Sequence, residues 1–215
     1  MVRGLVETQS PGAAVRQDAA VSSDERLIEA LVSGDRALAN ELHRRLLRSV
    51  DATLYRVLGR RDADYEDLVQ TALEQIMASL GRGKFSRSST LATWASGVTC
   101  NVALRAIRRR KLERRIFDRS ADVEAFVLCH AGPSNPEAQV IARRHLARFQ
   151  CHLARMSTKL SETLILHDVL GFGLKETASL TGTTHAAVRS RLVRGRRNLS
   201  ERLRHDRELA SSGAR

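Results

Sequence analysis

Apolar residues recur every three to four positions along this chain and nowhere alternate over a useful length, a pattern that predicts helices and no strands. Leu27, Ile28, Leu31 and Val32 form a short run that Ser23 and Asp24 can cap. Ser33-Gly34-Asp35 interrupts it. Leu38, Leu42, Leu46, Val50, Leu54 and Leu58 then mark a longer amphipathic helix, ended by Gly59. Asp64, Glu66 and Asp67 open the next one, where the helix macrodipole favours carboxylates. Leu68, Val69, Ala72, Leu73, Ile76, Met77 and Leu80 draw a single apolar stripe as far as Gly81-Arg82-Gly83. A polar loop runs from Arg82 to Ser89, and a helix begins near Thr90. Leu91, Trp94, Ala95, Val98 and Val102 share one face of it; Asn101, Arg105, Arg108 and Arg109 share the other. Trp94 lies on the apolar stripe and reads as core, not as a stacking platform.

Periodicity fades near residue 116 and returns after Gly132-Pro133-Ser134-Asn135-Pro136, the best linker in the chain. Pro136 is acceptable in a first helical turn. Val140, Ile141, Leu146, Phe149 and Leu153 mark the inner face of the helix that follows. Ser161 and Glu162 are expected to open another, carrying Leu164, Ile165, Val169 and Leu170, and two short helices complete the chain. The pattern predicts an all-α protein of two small helical domains, over 23–115 and 137–206. A flexible linker over 116–136 joins them, with tails at 1–22 and 207–215.

Composition fits this picture. Hydrophobic residues make up 42% of the 215 positions and aromatics only 4%, so compact cores must be built from Leu, Val, Ile and Ala. The formal net charge of +12 favours a polyanionic partner, because each neutralised phosphate releases counterions. The charge is clustered. Arg105, Arg108, Arg109, Arg110, Lys111, Arg114 and Arg115 form one block; Arg189, Arg191, Arg194, Arg196, Arg197, Arg202 and Arg204 form another. Such blocks read as nucleic-acid footprints. Cys100, Cys129 and Cys151 are odd in number and lack metal-ligand spacing, so reduced cytoplasmic thiols are expected, although Cys129-His130 and Cys151-His152 pair thiol with imidazole. Neither a signal peptide nor a membrane-spanning run is expected, which points to a cytoplasmic protein without stable membrane insertion.

The segment from Leu174 to Leu192 reads as a helix-turn-helix. Ala178 is small where two helices must cross, Gly182 suits the turn, and Thr184 can cap the second helix. Val188 and Leu192 point inward at i, i+4, which leaves His185, Arg189, Arg191 and Arg194 near the outer face. In such motifs the start of the second helix enters the major groove, where Arg reads guanine edges or holds phosphates. An enzymatic reading finds no support: there is no GxxxxGK[ST], HExxH or GxSxG. Gly171-Phe172-Gly173 reads as a helix-ending turn, and His167-Asp168 as chance adjacency. No catalytic residue, metal or cofactor is expected. A stand-alone helix-turn-helix regulator is the alternative, but no heptad seam or sensor domain supports a dimer.

Two stretches resemble one family. Glu176-Thr177-Ala178 through Gly182 to Val188-Arg189-Ser190-Arg191-Leu192-Val193-Arg194-Gly195-Arg196 is similar, without a gap, to region 4 of the sigma-70 family. Thr177 stands where an apolar residue is usual, and Gly195 where Ala is usual. Asp64-Tyr65-Glu66-Asp67-Leu68-Val69-Gln70 resembles the region 2 pattern DAEDLVQ. Trp94 follows at the family's position, Val98-Thr99-Cys100-Asn101 resembles Ile-Ala-(basic)-Asn, and Arg108-Arg109-Arg110 resembles the closing basic run. Ala95 replaces a usual Leu and Arg105 a frequent Asp. The resemblance covers roughly residues 24–110 and 137–205. No segment fits the extra regions 1.1 or 3 of housekeeping members, which points to the extracytoplasmic-function (ECF) branch.

The resemblance implies a transcription initiation factor that partners core RNA polymerase, at its beta-prime clamp helices and beta flap, and promoter DNA. Asp64, Glu66, Asp67, Leu68 and Gln70 would meet the clamp. Lys84, Ser86, Arg87 and Ser88 in the loop, with Asn101, Arg105, Arg108 and Arg109 on the next helix, would read and melt the −10 element by holding a base outside the stack. Thr184, His185, Ala186, Arg189, Ser190, Arg191 and Arg194 would read the −35 element as duplex. The linker would thread the polymerase's RNA path and let both domains engage at once, raising affinity through effective concentration. An anti-sigma protein would hold the factor inactive.

Overall fold

The computed structural model describes residues 36–117 and 136–212, together with 24–26, 28, 29 and 33. The expected linker lies almost wholly outside them and the N-terminal tail wholly so, whereas residues 207–212 of the expected C-terminal tail continue the last helix. Helices α1 (Arg36–Leu58), α2 (Tyr65–Gly81) and α3 (Leu91–Phe117) form the first domain. The second holds α4 (Pro136–Arg155), α5 (Thr158–Leu164), a π-helical turn (Ile165–Val169), α6 (Leu174–Leu180) and α7 (His185–Ser212). No strand occurs among the described residues.

The apolar stripes do what their spacing predicts, except that Leu38, expected on the first of them, is 41% exposed. Leu42, Leu46, Val50, Leu54 and Leu58 of α1 are buried against Leu68, Ala72, Ile76 and Leu80 of α2 and Ala95, Val102, Leu104 and Ile107 of α3. Burying one such Leu or Ile side chain contributes about 1.5–3 kcal/mol. Trp94 is half-buried against this core, its ring centroid 5.4 Å from that of Phe85. Several polar groups inside the bundle are paired, as burial favours. Thr53 Oγ1 donates to Ser96 Oγ at 3.0 Å, and Ser96 Oγ to the Ala92 carbonyl at 2.9 Å. The Tyr65 hydroxyl donates to Asp51 Oδ1 at 2.9 Å. Asp24 has a role that its position in the sequence does not suggest. Its Oδ2 accepts the Leu91 N–H at 2.9 Å and its Oδ1 accepts Arg45 at 3.1 Å, so it caps α3 from far along the chain.

In the second domain, two expectations need correction. The helix expected to open at Ser161 and Glu162 begins at Thr158, with Ser157 as its N-cap. Ser161 lies inside it, fully buried, and donates to the Leu153 carbonyl at 2.9 Å. It thereby satisfies one of the acceptors that the last turn of α4 leaves open. The final helix is not short: α7 runs for 28 residues. Other expectations hold. Gly171 (φ +81°) ends the π turn, and Gly182 (φ +58°) makes the turn before α7. Gly195 is buried where a Cβ would stand 3.0 Å from Leu164 Cδ1, so the glycine in place of Ala seats α7 tightly on α5.

The two domains are not held apart. Buried residues of both belong to one continuous core. Gln150 of α4 donates to the Val57 and Leu58 carbonyls, both at 3.0 Å, and so closes the C-terminal turn of α1. Arg56 donates to the Val169 and Leu170 carbonyls at 2.7 and 3.2 Å. Gly59 sits in this seam with φ +72°, its N–H bonded to the Tyr55 carbonyl at 2.7 Å. An added Cβ would fall 2.0 Å from Leu146 Cδ2. Gly59→Ala should therefore lower stability by about 1–2 kcal/mol, from left-handed backbone strain and displacement of Leu146. Urea denaturation checks this; an unmoved midpoint would count against it.

Candidate nucleic-acid and polymerase interface

The helix-turn-helix forms as its spacing requires. Glu176 Oε2 reaches back to the Gly173 N–H at 2.9 Å and secures the start of α6. Thr177, polar where an apolar residue is usual, is buried within 3.5 Å of the Phe172 carbonyl. Ala178 is buried at the crossing, and Val188 and Leu192 of α7 are buried beneath it. Thr184 Oγ1 accepts the Ala187 N–H at 3.2 Å. Thr184, His185, Ala186, Arg189, Ser190 and Arg194 are exposed on one side. Arg191 is not: it is half-buried, with Nη2 3.5 Å from Thr183 Oγ1, because three residues after Val188 it lies close to the inward face of the helix. Val193, which the sequence reading passed over, is 67% exposed among these arginines. Its spacing four after Arg189 was the available signal. An apolar side chain there can meet a thymine methyl.

The acidic start of α2 divides. Glu66, Asp67 and Gln70 are exposed, Gln70 donating to Glu74 at 2.9 Å. Leu68 is only 5% exposed, so its expected place on the polymerase-facing surface is corrected. It shares the inner stripe with Ala72 and Ile76, at i+4 and i+8. Asp64 is also drawn inward. It accepts Arg110 through both oxygens and Arg109 at 2.8 Å, while Arg110 reaches Asp62 at 2.9 Å. Burial works against the Asp64 charge, but the Arg110 bond and the charges of Arg110 and Arg109 outweigh it and hold the carboxyl below its ordinary range. The closing basic run thus ties α3 to the start of α2.

The expected −10 readers also divide. Lys84, Ser86, Arg87 and Ser88 are exposed in the loop, with Arg87 at φ +55° and 3.3 Å from Glu25. Arg105 is exposed. Arg108 is half-buried, and Arg109 is engaged by Asp64 and, at 3.6 Å, by Glu113. Asn101 is half-buried and donates to Glu162 of the second domain at 3.0 Å.

Other candidates are structural. His167 Nδ1 lies 2.7 Å from the Phe172 carbonyl, and Asp168 accepts Arg196 at 3.0 and 2.5 Å, which anchors α7 to the π turn. Cys100 is buried, and burial followed by the Glu162 charge pushes its thiol well above the ordinary value. Cys129 lies outside the described residues. Among those described, no three His, Cys, Asp or Glu side chains gather as metal ligands, and no helix is long and apolar enough to cross a membrane.

An all-α chain with a helix-turn-helix at one end and a basic helix packed on an acidic helix start at the other is a two-domain DNA-binding transcription protein. Residues 42–113 match sigma-70 region 2, and residues 146–199 match sigma-70 region 4. The RNA polymerase sigma factor NccH of Alcaligenes xylosoxydans xylosoxydans is 30% identical over 179 residues, covering 83% of this chain and 94% of NccH. The ECF RNA polymerase sigma factor SigM of Mycobacterium tuberculosis is 26% identical over 189 residues, covering 84% and 85%. The fold is similar to that of CnrH, solved in complex with the cytosolic domain of CnrY (TM-score 0.51, 23% identity, 86% of this chain and 99% of that one). The chain belongs to the sigma-70 family of RNA polymerase sigma factors, in its ECF branch. It directs promoter-specific initiation of transcription.

Proposed function

We propose that this sigma factor divides its work between two units, 23–115 and 137–206, and supplies binding energy without catalytic chemistry of its own. Glu66, Asp67 and Gln70 at the exposed start of α2 dock on a basic surface of core polymerase. The loop from Lys84 to Ser88, with Asn101 and Arg105, takes the melted −10 strand. The outer face of α7 reads −35 duplex through His185, Ala186, Arg189, Ser190 and Arg194, with Thr184 shaping the helix start. The observation that carries this reading is the one-sided exposure of α7, basic outside and buried through Val188 and Leu192 inside. The protein works where polymerase and chromosome are, in the cytoplasm. CnrH is held by the cytosolic domain of CnrY, and a protein antagonist of the anti-sigma type is the corresponding partner here.

Run-off transcription with core polymerase on a promoter library tests this reading; no initiation from any template would overturn it. On the best template recovered, Arg189→Ala and Arg194→Ala should each cost about 1–3 kcal/mol of −35 discrimination if they read bases. If they hold phosphates instead, each should flatten the salt slope of binding by about one unit. Equal activity on templates with and without the −35 element would remove these arginines from recognition.

A further inference from the structure

A cavity of about 300 Å³ opens between α4 and the far half of α7, lined by His152, Arg155, Asn198, Glu201, Arg202 and His205. The match to sigma-70 region 4 ends at residue 199, so Glu201, Arg202 and His205 lie beyond it, on a helix that runs on to Ser212. His152 is only 2% exposed and forms the floor. Arg202 is half-buried, and its Nε donates to Asn198 Oδ1 at 2.7 Å. That bond steadies the guanidinium plane and uses one of its five N–H donors. Arg155 is exposed at the rim. Glu201 is the one carboxylate, and Arg197 Nε, from outside the cavity, donates to it at 2.8 Å. With Glu201 so matched, the charges of Arg155 and Arg202 remain in excess.

The cavity is separate from the DNA-reading face. Arg202 follows Arg189 by 13 positions, about 20 Å along the axis and roughly 140° around it. A duplex seated on His185, Ala186 and Arg189 leaves the cavity on the far side of the helix. Two imidazoles and a carboxylate suit a dication in type, but the arginine charges oppose one, and among the described residues no three such ligands gather.

We propose that this cavity binds a small phosphate ester of nucleotide size. Arg155 and Arg202 hold the phosphate oxygens through charge-assisted bonds. His152 and His205 add ring N–H donors, and Glu201 accepts a hydroxyl of the attached sugar. The volume stands at the lower end of the ~300–1,000 Å³ of ligand cavities, which suits one mononucleotide and not a continuous strand. A ligand here bridges α4 and α7, so occupancy stabilises the second domain by mass action.

Calorimetric titration of the full chain at ~0.15 M salt with ADP, inorganic pyrophosphate and adenosine tests this. It needs neither polymerase nor promoter, so its outcome is independent of the sigma-factor reading. ADP should bind one to a chain, pyrophosphate more weakly and adenosine not measurably. Arg155→Ala and Arg202→Ala should each weaken ADP binding about tenfold or more, as loss of a charge-assisted contact implies. Arg155 is exposed, so its replacement leaves the fold intact. Arg189→Ala, on the DNA face, should leave ADP affinity unchanged. No loss in Arg155→Ala, or an equal loss in Arg189→Ala, would mean that ADP is held by the overall charge of +12 and would overturn the proposal. Pyrophosphate binding as tightly as ADP would overturn the assignment of Glu201 to a sugar. A duplex of non-promoter sequence supplies the other source of phosphate. If it displaces ADP and itself binds more weakly to Arg155→Ala, the cavity belongs to a DNA track and the small-ligand site is refuted.

Discussion

Replacing Glu66 and Asp67 together with lysine is expected to weaken binding to core polymerase at least tenfold, about 1.4 kcal/mol or more. Both side chains are exposed in the first turn of α2, so each presents its charge to a partner at little desolvation cost. Their other role is local. Carboxylates in a first turn stabilise a helix by about 0.3–1 kcal/mol each, and the double reversal loses that and adds repulsion. Glu66→Gln with Asp67→Asn separates the two roles, since it removes charge without reversing it. If the face meets a basic surface, the neutral pair should lie between wild type and the lysine pair in affinity. The spread among the three should shrink as salt is raised towards 0.5 M, because the interaction lies at the exposed rim of the contact. Titration of labelled protein with core enzyme reads this directly. Equal affinities for all three would assign these carboxylates to helix stability alone.

What the sequence made legible was whatever depends on local spacing. The stripe from Leu42 to Leu58, the capping Thr184, the turn at Gly182 and the inward pair Val188 and Leu192 follow from one helix period and one turn chemistry. What escaped was whatever depends on residues far apart in the chain. Asp24 looks like a cap for its own helix, yet it caps α3 across 67 positions. Ser161 looks like the start of a helix because its hydroxyl is a plausible cap, but the acceptor it satisfies belongs to α4. Leu68 was placed on the polymerase face with its charged neighbours, although its own stripe with Ala72 and Ile76 assigns it to the core. Family resemblance carried a whole motif to one surface, while the helix period splits that motif between two. The packing of one domain on the other had no sequence signal: Asn101 reads as a −10 contact and Glu162 as part of a helix start, and nothing in the spacing pairs them.

Arg110→Ala is expected to destabilise the folded chain by roughly 2 kcal/mol, between the ~0–1 of an exposed ion pair and the ~3–5 of a broken buried one. The Arg110 side chain is 13% exposed and binds Asp62 and Asp64 together. Its loss leaves those carboxylates to Arg60, 2.8 Å from Asp62, and to Arg109, 2.8 Å from Asp64, which is why the full buried-pair cost is not reached. The pH dependence distinguishes this account from simple loss of packing. Asp64 is held below its ordinary value in the folded state. Its contribution is therefore complete above the unfolded value of about 3.9 and is lost as pH falls through the lower folded value. The stability gap between wild type and Arg110→Ala should be constant from pH 7 to 5 and narrow below about pH 4, as Asp64 becomes protonated in both proteins. Urea unfolding across that range measures the gap. A gap independent of pH would mean that Arg110 acts through the packing of its aliphatic stem, and the ion pair would then have no part in fixing α3 against the start of α2.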